Sequence, residues 1–239
     1  ALPILLTIPL QTLLPDAPRE GLVLNIAELR LYYYPPGQNS VTVYPIGIGQ
    51  LGGDTLTPTM VTTVSDKRAN PTWTPTANIR ARYKAMGIDL PAVVPAGPNN
   101  PMGHHAIRLA AYGGVYLLHG TNADFGIGMR VSSGCIRLRD ADIKSLYNKI
   151  TPGTRVNIIN EPIKVSVEPN GTRLVEVHQP LSEHINDDPQ TLPIVLNASM
   201  KNFKQAPQTN QQVMESAMAL RSGMPVDVTH HQLSAEQAL

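Results

Sequence analysis

The chain has one cysteine, one tryptophan and two phenylalanines in 239 residues. A single cysteine excludes an intramolecular disulfide framework. With histidines scattered along the chain it also leaves no zinc-ligand spacing, so no metal and no other cofactor is expected. Charge is scarce and balanced, 19 Lys+Arg against 18 Asp+Glu, which removes the electrostatic case for nucleic acid or an anionic membrane as partner. No apolar run approaches the length of a membrane span. Residues 1–14 are apolar but lack a basic start and contain Pro3 and Pro9, so they read as strands and not as a signal peptide. What is abundant is proline, 22 residues, and glycine, 18. With 42% apolar residues, that composition describes a loop-rich β protein with a core of ordinary size, not a helical bundle.

The lone cysteine lies in the stretch that organises the chain. Val115-Tyr116-Leu117-Leu118 reads as a buried strand, and it ends in His119. A loop with glycines at 120, 126, 128 and 134 then returns to Ser132-Ser133-Gly134-Cys135-Ile136-Arg137, sixteen residues past the histidine. A lone cysteine is most often a small buried hydrophobe. Here its neighbours are small, polar and turn-forming, where a core cysteine would sit among Val, Ile and Leu. A strand end that delivers an imidazole, and a loop that returns a thiol, suit a Cys–His nucleophilic pair. His119 would take the thiol proton and later protonate the leaving amine. Such a cysteine would need its pKa lowered from the unperturbed value of about 8.5. The N–H groups of Gly134 and Cys135 are the candidate oxyanion donors. Arg137, two residues past Cys135, would face the same side of an extended chain. Asp124 is a carboxylate that could orient the imidazole.

These residues resemble the L,D-transpeptidase (YkuD-type) catalytic domain, which carries a histidine, a loop, then Ser/Thr-His-Gly-Cys followed by x-Asn or x-Arg. Supporting stretches are Pro45 to Gln50, Pro71 to Thr76, Pro91 to Pro98 and Asn100-Pro101-Met102-Gly103. One position departs from the pattern: the family's usual histidine before Gly-Cys is Ser133. The resemblance extends to the enterobacterial members that attach Braun lipoprotein to peptidoglycan. It implies a periplasmic cysteine acyltransferase in which Cys135 attacks the diaminopimelate–D-Ala bond of a tetrapeptide stem. The acyl group then passes to the terminal lysine amine of the lipoprotein. Carbapenem β-lactams are the implied inhibitors. The resemblance also implies catalytic roles for Cys135, His119 and Gly134, a main-chain carbonyl near Gly120 as the partner of His119, and substrate contacts from Arg137, Ser133, Ser132 and Met102. Three alternatives stand beside this: 3-3 cross-linking of stems, a cysteine hydrolase that releases such links, and a non-catalytic wall-binding protein.

The expected fold is mainly β, a sandwich or barrel-like catalytic domain over 21–161 with a few short helices, followed by a small α+β subdomain over 162–239. Residues 1–20 resemble the end of a LysM-type module plus a linker. Strands are expected at 22–26, 28–34, with Leu29, Leu31 and Tyr33 as the buried face, and at 41–44, 60–64, 106–109 and 154–159. Helices are expected at Thr76–Met86 and over 140–150, where Ile143, Leu146, Tyr147 and Ile150 share a face and Asp140 is the cap. The proline-rich segment 66–104 corresponds to a lid in the family. Trp73 within it reads as core, with a lid contact as the alternative. His104 and His105 face opposite ways and read as structural. Asn170-Gly171 marks a hairpin between 163–167 and 172–177. A last helix is expected over 209–221, with Val213, Ala217 and Leu220 on one side, and residues 229–239 are expected to fray.

Overall fold

The computed structural model describes residues 12–51 and 55–230, apart from the side chain of Asp124. The strands expected in 1–11 and most of the fraying tail therefore lie outside the described residues. Two compact units are present. One holds 18–159 with 183–185; the other, among the described residues, holds 12–17, 160–182 and 186–230.

The first unit is built on β1 (Gly21–Asn25), β2 (Arg30–Tyr34), β3 (Thr42–Pro45), β4 (Ile48–Gly49), β5 (Met60–Ala69), β6 (His105–Leu109), β7 (Leu117–His119), β8 (Arg130–Ser132), β9 (Ile136–Arg137) and β10 (Arg155–Ile159). Eight of these form one sheet in the order β3-β2-β1-β10-β5-β6-β7-β9, and β4 pairs in parallel with β8. In β2, Leu31, Tyr32, Tyr33 and Tyr34 are all buried. The expected alternation fails there because both faces of the strand are covered. Tyr32 can be buried because its hydroxyl donates to Glu28 at 2.9 Å.

β5 runs five residues past the expected end, to Ala69, so the proline-rich insertion begins at Asn70 and not at 66. Its helix, α1 (Ala77–Ala85), is capped by Thr76, whose side chain accepts from the Ile79 N–H at 3.3 Å. The loops around α1 are pinned from inside by Asn100. Its amide donates to the carbonyls of Pro71 (2.9 Å) and Pro95 (3.1 Å), and its Oδ1 accepts from Met102 N at 2.9 Å.

The second helix, α2 (Asp140–Lys149), packs on β6 and β7 and buries Ile143 and Leu146, contacts worth about 1.5–3 kcal/mol each. Asp140 is not its cap: it is the first helical residue, and Arg139 precedes it without a side-chain capping bond. The Asp140 carboxylate instead accepts from His104 N at 3.0 Å and meets His104 Nδ1 at 2.8 Å. His105 turns away to the Tyr147 ring, 4.8 Å between centroids.

The second unit is a three-stranded sheet, β11 (Ile163–Val167), β12 (Arg173–Val177) and β13 (Pro225–Asp227), covered by α3 (Ala198–Gln205) and α4 (Gln211–Leu220). Ile163, Val175, Val177, Met200, Phe203, Met214, Ala217 and Val228 form its core. Leu220 does not share that face; it is 75% exposed, and Met214 takes the buried place. Inside this unit Lys164 and Glu176 are fully buried and paired at 2.9 Å. Glu176 also accepts from Leu13 N at 2.7 Å and meets His178 Nε2 at 2.7 Å. Burial alone would raise the Glu176 pKa. The hydrogen bond from His178, the Lys164 charge and the Leu13 N–H together outweigh it and bring the pKa down to about 2.

Candidate active site

β7 is shorter than the sequence suggested: only Leu117–His119 is strand, and Val115 is exposed. The chain approaches β7 through Ala111–Gly114, where Tyr112, Gly113 and Gly114 all have positive φ. β7 lies between β6 and β9, with Leu118 opposite Ile136 and His119 opposite Arg137 in parallel register. Paired residues leave a sheet on the same face. His119 and Arg137 therefore emerge together, and Cys135, two residues before Arg137, emerges beside them. Burial along 132–138 alternates accordingly: Ser132, Gly134, Ile136 and Leu138 are buried, and Ser133, Cys135 and Arg137 are half-buried.

The turn into Cys135 is tied from several sides. Gly134 has φ +103°, in the region that favours glycine, and a Cβ there would lie 3.3 Å from the Tyr116 ring. Its carbonyl accepts from Thr57 Oγ1 at 2.9 Å. Its N–H donates to Ser132 Oγ at 3.2 Å, and that hydroxyl in turn donates to the Cys135 carbonyl at 2.5 Å. The Gly134 N–H is thus occupied locally. It is not the open oxyanion donor that the sequence suggested, and the role of Gly134 here is conformational.

His119 is almost wholly buried, and its Nδ1 sits 2.6 Å from the Gly120 carbonyl oxygen. A carbonyl only accepts, so Nδ1 carries the hydrogen and Nε2 presents the lone pair that a general base needs. Burial pushes the His119 pKa down to about 4, and the Arg137 charge pushes the same way against the raising effect of the Gly120 bond. The Cys135 thiol reaches the Val115 carbonyl at 3.8 Å. Burial pushes its pKa up; a hydrogen bond from the Leu117 main chain and the charges of Arg137 and Arg108 only partly counter this. Burial thus works against the lowered thiol pKa expected from the sequence. Burial of the site favours the uncharged form of both the thiol and the imidazole.

Both groups line a cleft of about 760 Å³. Ser132, Ser133, Met102 and Arg137 line it too, so the candidate substrate contacts converge there. Trp73 also faces this cleft, half-buried and held in the insertion by paired main-chain bonds with Val94 (2.9 and 2.7 Å); it is not a core side chain. Sequence reasoning missed Arg108, Tyr116, Arg82 and Tyr83, which complete the walls. Arg108 was legible as the one exposed position in the buried strand β6. The others stand out only once the insertion folds back. Arg130 does not reach the cleft; its Nε lies against the Gly49 carbonyl.

The family model of the L,D-transpeptidase catalytic domain matches residues 19–158, and that of the L,D-transpeptidase C-terminal domain matches 162–228. The chain belongs to the L,D-transpeptidase family. It is 83% identical to the probable L,D-transpeptidase YcfS of Escherichia coli over 97% of its own length and 72% of that protein. It is 53% identical to YbiS of the same organism, over 92% of this chain and 72% of YbiS, and 50% identical to ErfK/SrfK, over 94% and 72%. The enzyme is an L,D-transpeptidase of mainly β architecture. Among the described residues no helix is long and apolar enough to cross a membrane.

Proposed function

We propose that this L,D-transpeptidase works in the periplasm and attaches Braun lipoprotein to peptidoglycan through a thioester on Cys135. The observation that carries the mechanism is the pairing, in one cleft, of a half-buried thiol with an imidazole whose Nε2 lone pair is set by the Gly120 bond. Cys135 attacks the carbonyl between diaminopimelate and the terminal D-Ala. Its proton passes to His119 Nε2 as the S–C bond forms. The tetrahedral intermediate collapses, the C–N bond breaks, and His119 returns the proton to the departing D-Ala amine. The terminal lysine amine of the lipoprotein then attacks the thioester and gives a proton to His119. The sulfur leaves and recovers its proton from that imidazole. The Cys135 N–H supplies oxyanion stabilisation. Residues 70–104 act as the lid, and a carbapenem acylates the same sulfur.

The periplasmic location and the lipoprotein acceptor rest on the family resemblance; the chemistry rests on the site. The test is mass spectrometry of the protein after incubation with a stem tetrapeptide, alone and with a lysine-terminated peptide or a diaminopimelate acceptor. An adduct that lacks the mass of D-Ala and is discharged fastest by the lysine peptide is expected. Discharge by diaminopimelate would make the enzyme a 3-3 cross-linker, faster discharge by water a hydrolase, and the absence of an adduct a wall-binding protein.

A further inference from the structure

The chain reaches β7 through a turn that is costly to hold. Tyr112, Gly113 and Gly114 have φ of +52°, +68° and +79° in succession. The left-handed conformation costs about 1–2 kcal/mol at Tyr112, which is not a glycine. Strain of this kind persists only where the surroundings fix it. The base of the turn is tied to β5 and β6. Ala110 N–H donates to the Thr63 carbonyl at 2.9 Å, Ala111 N–H to Thr62 Oγ1 at 3.1 Å, and Leu109 N–H to the Tyr116 carbonyl at 3.0 Å. Inside the turn a side chain takes over: Arg108 Nη1 donates to the Gly114 carbonyl at 2.5 Å. Gly114 leaves room for it, since a Cβ there would lie 3.0 Å from Arg108 Cδ. Arg108 is the exposed residue of β6, lines the cleft and pairs in register with Leu117. Asp66, a carboxylate of the lining and its register partner on β5, meets Arg68 at 3.4 Å. The segment held in this way carries two main-chain groups that meet the sulfur. The thiol reaches the Val115 carbonyl at 3.8 Å, and the Leu117 main chain donates to it.

We propose that Arg108 is a positioning residue for the nucleophile: by holding the Gly114 carbonyl it fixes the 112–114 turn and, one and three residues on, the Val115 carbonyl and Leu117 N–H that flank the Cys135 sulfur. Its consequence for turnover rests on the acyl-transfer reading above. Without Arg108 the Gly114 carbonyl loses a charge-assisted partner, and the strained turn is free to relax. Two glycines follow Tyr112, so sterics alone do not hold the turn in place. The Val115 carbonyl and the Leu117 N–H then drift, and the sulfur with them. A reacting atom misplaced by about 1 Å costs on the order of 10²-fold in rate. The Arg108 charge works in the same direction. Against the larger effect of burial, the charges of Arg137 and Arg108 both favour the thiolate. Of the other ionisable side chains around the cleft, His119 is the base, Asp66 and Arg68 pair with each other, and Arg82, Tyr83 and Tyr116 lie on the walls.

The thiol itself reports this role, without substrate. The rate of Cys135 alkylation by iodoacetamide is followed across about pH 6–11 for the wild type, Arg108→Met and Arg108→Lys. Met keeps the apolar stem and removes donor and charge; Lys keeps a donor and a charge. Arg108→Met should move the alkylation midpoint up and lower the rate at neutral pH by about three- to tenfold. Arg108→Lys should recover part of that loss. With stem tetrapeptide as donor, Arg108→Met should lower kcat by about tenfold or more and leave KM within about twofold. An unchanged alkylation profile in Arg108→Met, whatever its melting midpoint, would show a structural role only and overturns the proposal. A loss carried by KM alone, or a Lys variant no better than Met, overturns it too. The alkylation readout also separates this proposal from the reaction it serves. A shifted profile with no stem-peptide adduct on wild-type Cys135 would sink the acyl-transfer reading and keep the hold on the thiol; a wild-type adduct with an unchanged profile would do the reverse.

Discussion

His119 donates from Nδ1 to the carbonyl of its own neighbour Gly120 at 2.6 Å. The acceptor is a main-chain carbonyl and not a carboxylate. It fixes the tautomer without placing a negative charge beside the ring, so only the raising effect of that bond opposes the downward push of burial and Arg137 on the imidazole pKa. Burial therefore favours a neutral base next to a protonated thiol, and several expectations rest on that.

Cys135 in the free enzyme should alkylate slowly at neutral pH. Burial raises its pKa, so the iodoacetamide rate should climb with a midpoint above the free-thiol value of about 8.5. A midpoint below 7 would reveal a thiolate–imidazolium pair and refute the neutral resting state. Cys135→Ala should abolish thioester formation and carbapenem acylation altogether.

The acid limb of kcat/KM for the free enzyme should fall near pH 4, where His119 becomes protonated, and not near 6.5. Stability is linked to the same group. Its folded pKa lies below the unfolded value, so the unfolded chain binds more protons between about pH 6.5 and 4 and stability falls as pH drops through that window. The full effect is on the order of 3 kcal/mol. His119→Gln should remove this part of the pH dependence in denaturant titrations and lower kcat by about 10²–10⁴.

Gly134→Ala should destabilise the protein by about 1–3 kcal/mol, because φ +103° is strained for any L residue and the new methyl meets Tyr116. Activity should fall further than stability, since the turn aims the sulfur. A shift in the melting midpoint with unchanged kcat would show that the turn does not orient Cys135.

Ser133 stands where the family usually has histidine, half-buried on the cleft wall. It can offer a hydrogen bond worth about 1 kcal/mol. Ser133→Ala should therefore lower kcat/KM by no more than about tenfold. Ser133→His should stay in a similar range. A thousandfold loss in Ser133→Ala would place the hydroxyl in the proton relay.

Glu176→Gln should cost the C-terminal unit about 3–5 kcal/mol, because it strands a buried Lys164 charge. Replacing both by Met and Leu should cost much less. Since Glu176 titrates near 2 when folded, its contribution is complete above about pH 4.5 and lost as pH falls toward 2. A double-mutant cycle across the acid unfolding transition measures this.

Much of the site was readable from order and spacing alone. A lone thiol in Ser-Ser-Gly-Cys, a histidine at the end of an apolar run and an arginine two residues past the thiol are local facts. Alternation of an extended chain then places Cys135 and Arg137 on one face. The capped helix at Thr76, the helix over 140–149 and the Asn170-Gly171 hairpin are local in the same sense, because caps and turns use bonds that span four residues or fewer. Tertiary structure decided everything that depends on who covers whom. Tyr32 and Tyr34 are buried because both faces of β2 are covered. The Gly134 N–H was taken by a serine hydroxyl, and Asp140 by His104, as chain segments distant from each other or turned back on themselves competed for the same polar groups. The thiol rose in pKa and the imidazole fell because desolvation depends on the assembled cleft. Arg82 and Arg137 line one cleft only because the fifty-odd residues between them fold back, and a long-range meeting of that kind has no signature in the order of residues.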